Sequence, residues 1–355
     1  MRRVSAAVAP ELTVQCEIGF AILPPAVPDR VLLTDPIDEA AAALIAANAE
    51  VIHAPDSAPD TVRRLAQQAD ALVIRSRIPD DLFDVAPRVR AVAIHGSGTD
   101  LVPLDSATNQ GVLVSNVPGG NAQSVAEFCV LGMLMLARNV ARITAALREE
   151  SFDRARALDG PALELSGATV GIVGLGHIGA RVARICRDGF GMRVLGSQRR
   201  MDRIPAGVEG ATLDALLAQS DYVVLACPLN PQTRHLMNRE RLARMKREAF
   251  LINVGRGPVV DEAALIETLR ERRIAGAMLD VYEHYRLEPG NPLLELDNVV
   301  LTPHLAGATR QARRRVSLVA AQEVLRMLGG EKPENFVNPQ AWDAAKGRRG
   351  AGSAS

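Results

Sequence analysis

The chain has 355 residues, and its 41 basic and 41 acidic side chains give a formal net charge of zero. Hydrophobic residues make up 48% and charged residues 23%, which is typical of a globular protein and excludes a disordered or fibrous chain. At about 100 to 200 residues per domain, this length predicts two domains. The balanced charge argues against nucleic acid or an anionic membrane surface as a partner.

The cysteines and the hydropathy pattern bear on metals and cellular location. Cys16, Cys129, Cys186 and Cys227 have neither the spacing of a zinc site nor that of a disulfide framework. We therefore expect no metal ion, and scattered thiols fit a reducing cytoplasm. The longest apolar run, 129–137, covers about half of a bilayer span. We predict a cytoplasmic protein with no membrane segment.

The first 150 residues show the pattern of a parallel sheet. Prolines at 10, 24, 25 and 28 mark residues 1–29 as an extension that precedes the fold. From residue 31, short apolar strands alternate with helices, which predicts βαβ units. The predicted strands are 31–34, 50–53, 71–75, 89–95 and 112–115, and the predicted helices between them are 37–48 and 60–68.

A second series of the same kind follows a long apolar helix predicted at 121–148. Its strands are predicted at 169–173, 192–196, 222–226, 249–254, 274–281 and 299–301, and its helices at 177–188, 212–219 and 261–272. The fold class predicted is therefore α/β, with two doubly wound parallel sheets. We expect the last helix, 309–328, to return to the first domain, and residues 339–355 to form a disordered tail.

A glycine-rich turn follows the first strand of the second series. Gly174, Gly176 and Gly179 form a G-x-G-x-x-G pattern at the start of a helix. The first glycine permits a tight turn, the second lets a pyrophosphate approach the backbone, and the third lets helix and strand pack closely. The N–H groups at the helix N-terminus favour an anion. The pattern predicts a dinucleotide-binding site.

The next strand end bears on the choice of dinucleotide. An acidic residue that binds the adenosine ribose is expected there, but the sequence has Ser197, Gln198, Arg199 and Arg200. Gln198 cannot repel a 2′-phosphate, and the serine and arginines could donate hydrogen bonds to it. We therefore predict NADP in preference to NAD, although two solvated surface arginines would give the same pattern.

Two further strand ends carry residues suited to catalysis. Arg256 lies on a glycine-flanked loop, where its guanidinium could bind a carboxylate with two parallel hydrogen bonds, or pair with a local acid. His304 follows the strand at 299–301, and histidine exchanges protons near neutral pH. Since ligands of open α/β sheets bind at the carboxyl ends of the strands, both residues are candidates for the active site.

These segments together resemble the D-isomer-specific 2-hydroxyacid dehydrogenase family, which includes glyoxylate/hydroxypyruvate reductases. The resemblance covers about residues 31–338, through matching segments at 95–100, 116–127, 170–179, 228–234, 250–261, 279–283 and 301–304. It implies two Rossmann-like domains with the active site in the cleft between them. The substrate-binding domain would comprise 30–117 and 306–338, and the dinucleotide-binding domain 118–305. It also implies a homodimer formed through the long helix after Asn121.

The resemblance also assigns roles to residues. Arg256 would bind the substrate carboxylate, His304 would be the acid/base, and the backbone N–H groups around Ser97 and Gly98 would hold the carboxylate from the other domain. The loop that contains Arg75 would contribute to substrate selectivity. The residues expected to bind the cofactor are Gly174, Gly176, His177, Ile178, Gly179, Ser197, Gln198, Arg199, Arg200, Cys227, Pro228, Thr233, Val254 and Asp280.

One position departs from the family pattern. Ungapped counting from Asp280 and from Pro292 places Tyr285 where the family has a catalytic Glu. A carboxylate beside His304 would raise its pKa and fix its tautomer, whereas a neutral tyrosine offers at most one hydrogen bond. Either Glu283 or Glu288 takes that place, or the enzyme works with a less basic His304, or it uses an unusual substrate.

Two functions fit these features. The first is an NADP-preferring oxidoreductase that transfers a hydride to or from C2 of a small 2-keto or 2-hydroxy acid. The alternative is a non-catalytic dinucleotide-sensing protein, like the C-terminal binding protein corepressors that share this architecture. The presence of both Arg256 and His304 favours the enzyme. Phosphoglycerate is disfavoured as a substrate, because the chain ends soon after its last predicted helix, without the regulatory domain that many phosphoglycerate dehydrogenases append.

Overall fold

A computed structural model describes residues 28–158, 160 and 162–352, with side chains up to residue 347. Within these residues the chain forms two parallel sheets, which confirms the predicted α/β class. The proposed N-terminal extension lies outside the described residues except for Pro28 and Asp29.

The first sheet has five parallel strands in the order β2-β1-β3-β4-β5. They are β1 (Arg30–Leu33), β2 (Glu50–His53), β3 (Ala71–Ile74), β4 (Ala91–Ile94) and β5 (Leu113–Ser115). The helices between them are α1 (Glu39–Ala46), α2 (Pro59–Ala66), α3 (Leu82–Val85) and α4 (Leu104–Asn109). The central strands β3 and β4 are buried throughout, as expected where helices cover both faces of a parallel sheet.

Three helices connect the two sheets, where the sequence predicted one. They are α5 (Ala122–Ala137), α6 (Val140–Glu149) and α7 (Phe152–Arg156). The prediction of a continuous helix over 121–148 was wrong, because Asn139 adopts a left-handed backbone with φ of 50° and α5 and α6 meet at 59°. Asparagine enters this conformation more readily than most residues.

The second sheet has seven parallel strands in the order β12-β11-β10-β9-β6-β7-β8. They are β6 (Thr169–Val173), β7 (Arg193–Ser197), β8 (Glu209–Gly210), β9 (Tyr222–Leu225), β10 (Phe250–Asn253), β11 (Gly276–Leu279) and β12 (Val299–Leu301). Its helices are α8 (His177–Phe190), α9 (Leu213–Gln219), α10 (Arg239–Leu242) and α11 (Glu262–Arg270). Helix α5 packs on this sheet through a core that includes Cys129, Met133 and Met278.

The last long helix, α12 (Arg310–Leu328), returns to the first sheet as predicted. Its buried residues Val316, Ala320 and Val324 pack in one core with Val31, Val73 and Ala93 of the first sheet. The chain therefore crosses between the sheets twice, once after β5 and once after β12.

The expected disordered tail is helical in the part that the structure describes. Helix α13 (Trp342–Gly352) follows a 3₁₀ turn, so the prediction of disorder was wrong for residues 339–352. The Trp342 ring packs edge-on against Phe336 at 6.2 Å, and the ammonium groups of Lys332 and Lys346 lie within 5.4 Å of its centre. Ala345 is buried in the core of the first sheet. The packing of Trp342 and the burial of Ala345 thus outweigh the low-complexity composition of this segment.

None of the described helices has on its own the length and hydropathy of a membrane span; α5 and α6 would have them together, but the 59° bend separates the two.

The strand order reverses once in each sheet, and the point of reversal determines where a ligand can bind. The reversals lie at β1/β3 in the first sheet and at β6/β9 in the second. Loops after strands on opposite sides of such a reversal diverge and leave a crevice, where α/β proteins bind ligands. Residues from the carboxyl ends of both sheets line one common cavity.

Candidate active site

A cavity of about 950 Å³ separates the two sheets. Its walls include the loops after β1, β3 and β4 of the first sheet, and the loops after β6, β9, β10, β11 and β12 of the second. Of the predicted site residues, those lining this cavity are Arg75, Ser97, Gly98, His177, Ile178, Cys227, Pro228, Val254, Arg256, Asp280, Tyr285 and His304.

The glycine-rich turn has the geometry that a bound pyrophosphate requires. Gly174 has φ of +92°, and a Cβ there would lie 2.8 Å from the Cys227 backbone. A Cβ at Gly179 would overlap the Gly174 carbonyl, whereas the space above Gly176 is open. Helix α8 begins at His177, and no side chain of the described residues caps its N-terminus. The free N–H groups and the open space fit a dinucleotide phosphate.

The strand end expected to select the dinucleotide is exposed at the tip of β7. Gln198 Nε2 donates to the Arg200 carbonyl at 2.8 Å, and the Arg200 guanidinium pairs with Asp202 at 2.9 Å. Arg199 is exposed, and in the part of the chain that the structure describes its side chain forms no hydrogen bond or ion pair. Arg199, rather than Arg200, is therefore free to bind the 2′-phosphate that distinguishes NADP from NAD.

Thr233 lies beside the cavity, with its hydroxyl engaged in its own loop. The hydroxyl donates to the Pro228 carbonyl at 2.7 Å and accepts from the Asn230 N–H at 2.8 Å. It therefore braces the loop that carries Cys227 and Pro228. Burial raises the pKa of the Cys227 thiol to about 11, so this cysteine stays protonated at neutral pH.

Arg256 joins the two sheets across the cavity. Its Nη2 lies 3.1 Å from Asp100 Oδ1, its Nε lies 3.3 Å from Asp100 Oδ2, and its Nη1 donates to the Gly255 carbonyl at 3.0 Å. A Cβ at Gly98 would overlap Arg256 Nη2, so a larger residue there would displace the guanidinium from this loop. Burial alone would raise the pKa of Asp100, but the hydrogen bonds and charge of Arg256 outweigh it and lower that pKa.

The loop that contains Ser97 and Gly98 is fixed to the first crossing between the sheets. The Ser97 hydroxyl donates to the Val117 carbonyl at 3.1 Å and accepts from the Gly119 N–H at 3.2 Å. Asn116 Nδ2 donates to the Ser97 carbonyl at 2.8 Å. These bonds hold the Gly98 backbone opposite Arg256.

His304 is held at the second crossing by Asp280. The His304 backbone has φ of +57°, and its N–H donates to the Asp280 carbonyl at 2.9 Å. The buried Asp280 carboxylate accepts hydrogen bonds from Thr302 Oγ1 at 2.7 Å, from the Leu305 N–H at 2.7 Å and from the Ala306 N–H at 2.9 Å. The carboxylate expected near the cofactor therefore also fixes the loop that presents His304.

The surroundings of His304 favour its neutral form. Burial lowers the pKa of His304, the negative charge of Asp280 partly opposes this, and the positive charge of Arg256 lowers it further. The imidazole borders the cavity and stays reachable by solvent. At neutral pH the free protein thus holds His304 largely deprotonated.

Tyr285 lies beside His304, where the family pattern has a carboxylate. Its ring centre is 6.3 Å from that of His304 at an angle of 62°, and the tyrosine is 77% exposed. Glu283 instead pairs with His235 at 2.7 Å, and its other oxygen accepts from the Glu262 N–H at 3.4 Å. The exposed Glu288 forms no hydrogen bond or ion pair with His304. Neither glutamate replaces the missing partner.

Several charged residues of the cavity were given no role by the sequence analysis. They are Asp35, His95, Asp100, Asp105 and Arg313. His95 and Asp100 stand in a segment that matches the family, but the match assigned them no partner. Arg313, on α12, gave no signal, because the expected return of α12 to the first domain does not show which of its side chains lines the cavity.

Comparison with known proteins identifies the class of enzyme. The family described as D-isomer specific 2-hydroxyacid dehydrogenase, NAD binding domain, matches residues 130–306. Over 320 residues the chain is 38% identical to a glyoxylate reductase of Korarchaeum cryptofilum, covering 88% of this chain and 96% of that protein.

Two further comparisons give the range of the family. The chain is 36% identical over 317 residues to a D-3-phosphoglycerate dehydrogenase of Methanocaldococcus jannaschii, covering 87% of this chain but only 59% of that longer protein. An NADPH-dependent glyoxylate/hydroxypyruvate reductase from Sinorhizobium meliloti, solved in complex with NADP and malonate, has a TM-score of 0.79 at 28% identity, with 88% and 98% of the two chains covered.

The fold, the glycine-rich turn and the cleft together define the protein as a dinucleotide-dependent oxidoreductase. The chain belongs to the D-isomer specific 2-hydroxyacid dehydrogenase family, as its sequence motifs predicted. The roles of its individual residues stay predictions.

The environment of His304 predicts an unusual pH dependence. If His304 is the proton donor, reduction consumes its proton, and kcat/KM with a 2-keto acid should then fall as pH rises through the low pKa of this histidine. Tyr285→Glu should move that decline to higher pH, because a carboxylate stabilises the imidazolium. Tyr285→Phe, which adds no charge, is the matched control and should leave the midpoint in place. A shift caused by Glu283→Gln would contradict the assignment, since Glu283 would then be the partner of His304.

Proposed function

We propose that the protein reduces a small 2-keto acid at C2, with NADPH as the preferred cofactor. The observation that carries this proposal is that Arg256, the Gly98 backbone and His304 line the same cavity as the start of α8. That set supplies a carboxylate clamp, an acid and a phosphate site, which are the groups that the reaction requires.

The substrate carboxylate would bind to the unused end of Arg256. A guanidinium has five N–H donors, and Asp100 and Gly255 engage three of those of Arg256. One N–H on Nη1 and one on Nη2 remain, and this pair can receive a carboxylate end-on with two parallel bonds. Asp100 thus orients the fork without blocking it, and the backbone around Ser97 and Gly98 bounds the same site.

His304 would donate the proton. The nicotinamide cofactor, when bound, supplies the hydride that adds to C2. As the carbonyl π electrons move onto oxygen, His304 delivers its proton there, and Arg256 stabilises the developing negative charge. The product is a 2-hydroxy acid of the D configuration, and a neutral His304 remains.

The preference for NADPH would depend on the tip of β7. Ser197 ends the strand, Gln198 bears no charge, and Arg199 has no partner among the described residues. An unpaired guanidinium at this position favours a 2′-phosphate over a hydroxyl.

The alternative of a non-catalytic dinucleotide sensor finds no support here. The related proteins are named as reductases and dehydrogenases, and both proposed catalytic residues face one cavity.

The protein would work as a homodimer through α5 and the segment that follows it. Leu131 and Leu134 lie one turn apart on α5 and are 47% and 38% exposed. Val140, Leu147 and Phe152, in the segment that follows, are also exposed, with Phe152 67% exposed. Exposed large apolar side chains grouped in one segment of a chain are typical of interfaces between proteins.

The role of Arg256 can be tested without removing its charge. Arg256→Lys loses the planar fork, so kcat/KM for 2-keto acid reduction should fall by roughly 100-fold, with little change in NADPH affinity. Arg247→Lys, at an exposed position outside the cavity, is the matched control and should have wild-type kinetics. Near-full activity of Arg256→Lys would exclude end-on clamping of the carboxylate.

Cofactor preference is tested by titrating NADPH and NADH against cofactor-free protein. NADPH should bind more tightly, and Arg199→Ala should reduce its advantage about tenfold by removing a charge-assisted contact in an exposed setting. Arg64→Ala removes the same charge from an exposed site on α2 and should leave the ratio unchanged. Equal or tighter binding of NADH to the unmodified protein would refute the preference.

Dimerisation is tested by light scattering after size-exclusion chromatography. The unmodified chain should have the mass of two copies, and the double variant Leu131→Glu/Leu134→Glu should have the mass of one, because buried unpaired charges oppose association. Val85→Glu, at another exposed apolar position on α3, should remain dimeric. A monomeric wild-type chain would rule out the dimer.

A further inference from the structure

The loop that carries Tyr285 is held at both ends by one carboxylate. This Tyr285 loop, residues 284–290, lies after β11 and is largely exposed. Before its start the Glu283 backbone N–H donates to Glu262 Oε2 at 2.9 Å, and after its end Asn291 Nδ2 donates to Glu262 Oε1 at 2.9 Å. The Glu262 N–H donates in turn to Glu283 Oε2 at 3.4 Å. Glu262 therefore fixes the two ends of the loop relative to each other.

Few other contacts hold the Tyr285 loop in place. Leu287 packs against the core that α11 shares with the second sheet, and the Asn291 N–H donates to the Glu288 carbonyl at 3.1 Å. The side chains of His284, Arg286 and Glu288 are exposed, and within the described ranges they form no hydrogen bond or ion pair. The position of the loop thus depends mainly on its two ends.

The place of Glu262 in the fold suits it to this role. Glu262 is the first residue of α11 and is half-buried. The positive end of the helix dipole favours a carboxylate in the first turn, and an ionised carboxylate accepts hydrogen bonds at both oxygens. One side chain can therefore receive the donors from both ends of the loop.

The start of the Tyr285 loop also meets the two preceding loops of the site. Glu283 Oε1 lies 2.7 Å from His235 Nε2, and the His235 N–H donates to the Pro258 carbonyl at 2.8 Å. A Cβ at Gly257 would overlap the Tyr282 carbonyl, so the loop that carries Arg256 packs closely here. The loops after β9, β10 and β11 are thus joined beside Glu283.

Tyr285 is the residue of this loop that lies beside the proposed acid. It lines the cavity, and its ring centre is 6.3 Å from that of His304. His304 and Arg256 are fixed by other contacts, which are made with Asp280 and Asp100. Tyr285 therefore bounds the space for the substrate without holding either proposed catalytic group, and its own place is set by the ends of the loop.

We propose that Glu262 is a positioning residue: by fixing both ends of the Tyr285 loop, it holds Tyr285 as one wall of the substrate space beside His304. A wall that is already in place spares the substrate the cost of ordering it, and so favours binding in the reactive position. This inference rests on the proposed reductase function and gives a role to a residue outside the set that lines the cavity.

Trypsin reports on the Tyr285 loop independently of any activity. Its target bond in the loop joins Arg286 to Leu287, and because Leu287 packs against the core, cleavage requires this segment to detach. In the native Glu262→Ala protein, mass spectrometry should show this bond cut about tenfold faster than in the unmodified protein, because cleavage follows the population of the open form.

Two further variants make the proteolysis decisive. Glu262→Gln keeps the size of the side chain but turns one acceptor into a donor, so it should give a smaller increase in cleavage, and it replaces the alanine variant if that one does not fold. Glu39→Ala removes the same charge from the first turn of α1, at an exposed position, and should be cut at the wild-type rate.

Steady-state kinetics tests the link to Tyr285. With the best substrate among pyruvate, hydroxypyruvate and 2-ketobutyrate, Glu262→Ala should raise KM about tenfold, with little change in kcat or in NADPH affinity. Tyr285→Ala should raise KM in the same way. In the double variant the two effects should not add, because Glu262 acts through Tyr285. A substitution that merely destabilised the fold would add its effect to that of Tyr285→Ala.

The possible failures are distinguishable. A wild-type rate of cleavage between Arg286 and Leu287 in both Glu262 variants would overturn the positioning role. A wild-type KM in either single variant, or effects on KM that add in the double variant, would overturn the link to Tyr285. If the unmodified protein reduces none of the three compounds, the proposed reduction fails and the substrate wall with it, whereas the cleavage rates still decide whether Glu262 holds the loop.

Discussion

The buried carboxylate of Asp280 is the constraint on which the active site depends. It lies at the end of β11 and receives three hydrogen bonds from the loop that carries the chain back toward the first sheet. A buried carboxylate is costly unless it is hydrogen-bonded in this way, so the loop must adopt the conformation that satisfies it. In that conformation His304 has a positive φ and reaches the cavity.

The second constraint is the contact between the two sheets at Arg256. The guanidinium is held by Asp100 of one sheet and Gly255 of the other, and Gly98 leaves the space that it occupies. These contacts set the direction of the remaining N–H donors. His304, the proposed acid, is thus fixed by the loop after β12, whereas Arg256, the proposed carboxylate clamp, is fixed by contacts with both sheets. The substrate would occupy the space between them.

Local pattern was enough to predict the glycine-rich turn, the fold class and every strand except the two-residue β8. β2, β6 and β12 have the predicted bounds. Of these, β6 is largely buried and is a continuous apolar run, as expected of a central parallel strand. Counting from Asp280 also placed Tyr285 next to His304. Contacts between distant segments were not accessible in this way: Asp100 and Arg256 are 156 residues apart. The helix break at Asn139 and the packing of α13 through Trp342 each depend on an individual residue. Composition and hydrophobic periodicity are averages over many residues, so they do not show such effects.

The path of the hydride tests the central claim most directly. The protein should be given NADPH deuterated at C4 of the nicotinamide, on each face in turn, and the best substrate among 2-keto acids of three or more carbons. If Arg256 and His304 act as proposed, one of the two labelled cofactors should transfer deuterium to C2 of the product, and that product should be the D-2-hydroxy acid. A product without deuterium at C2 from either cofactor, or a product of the L configuration, would contradict the account.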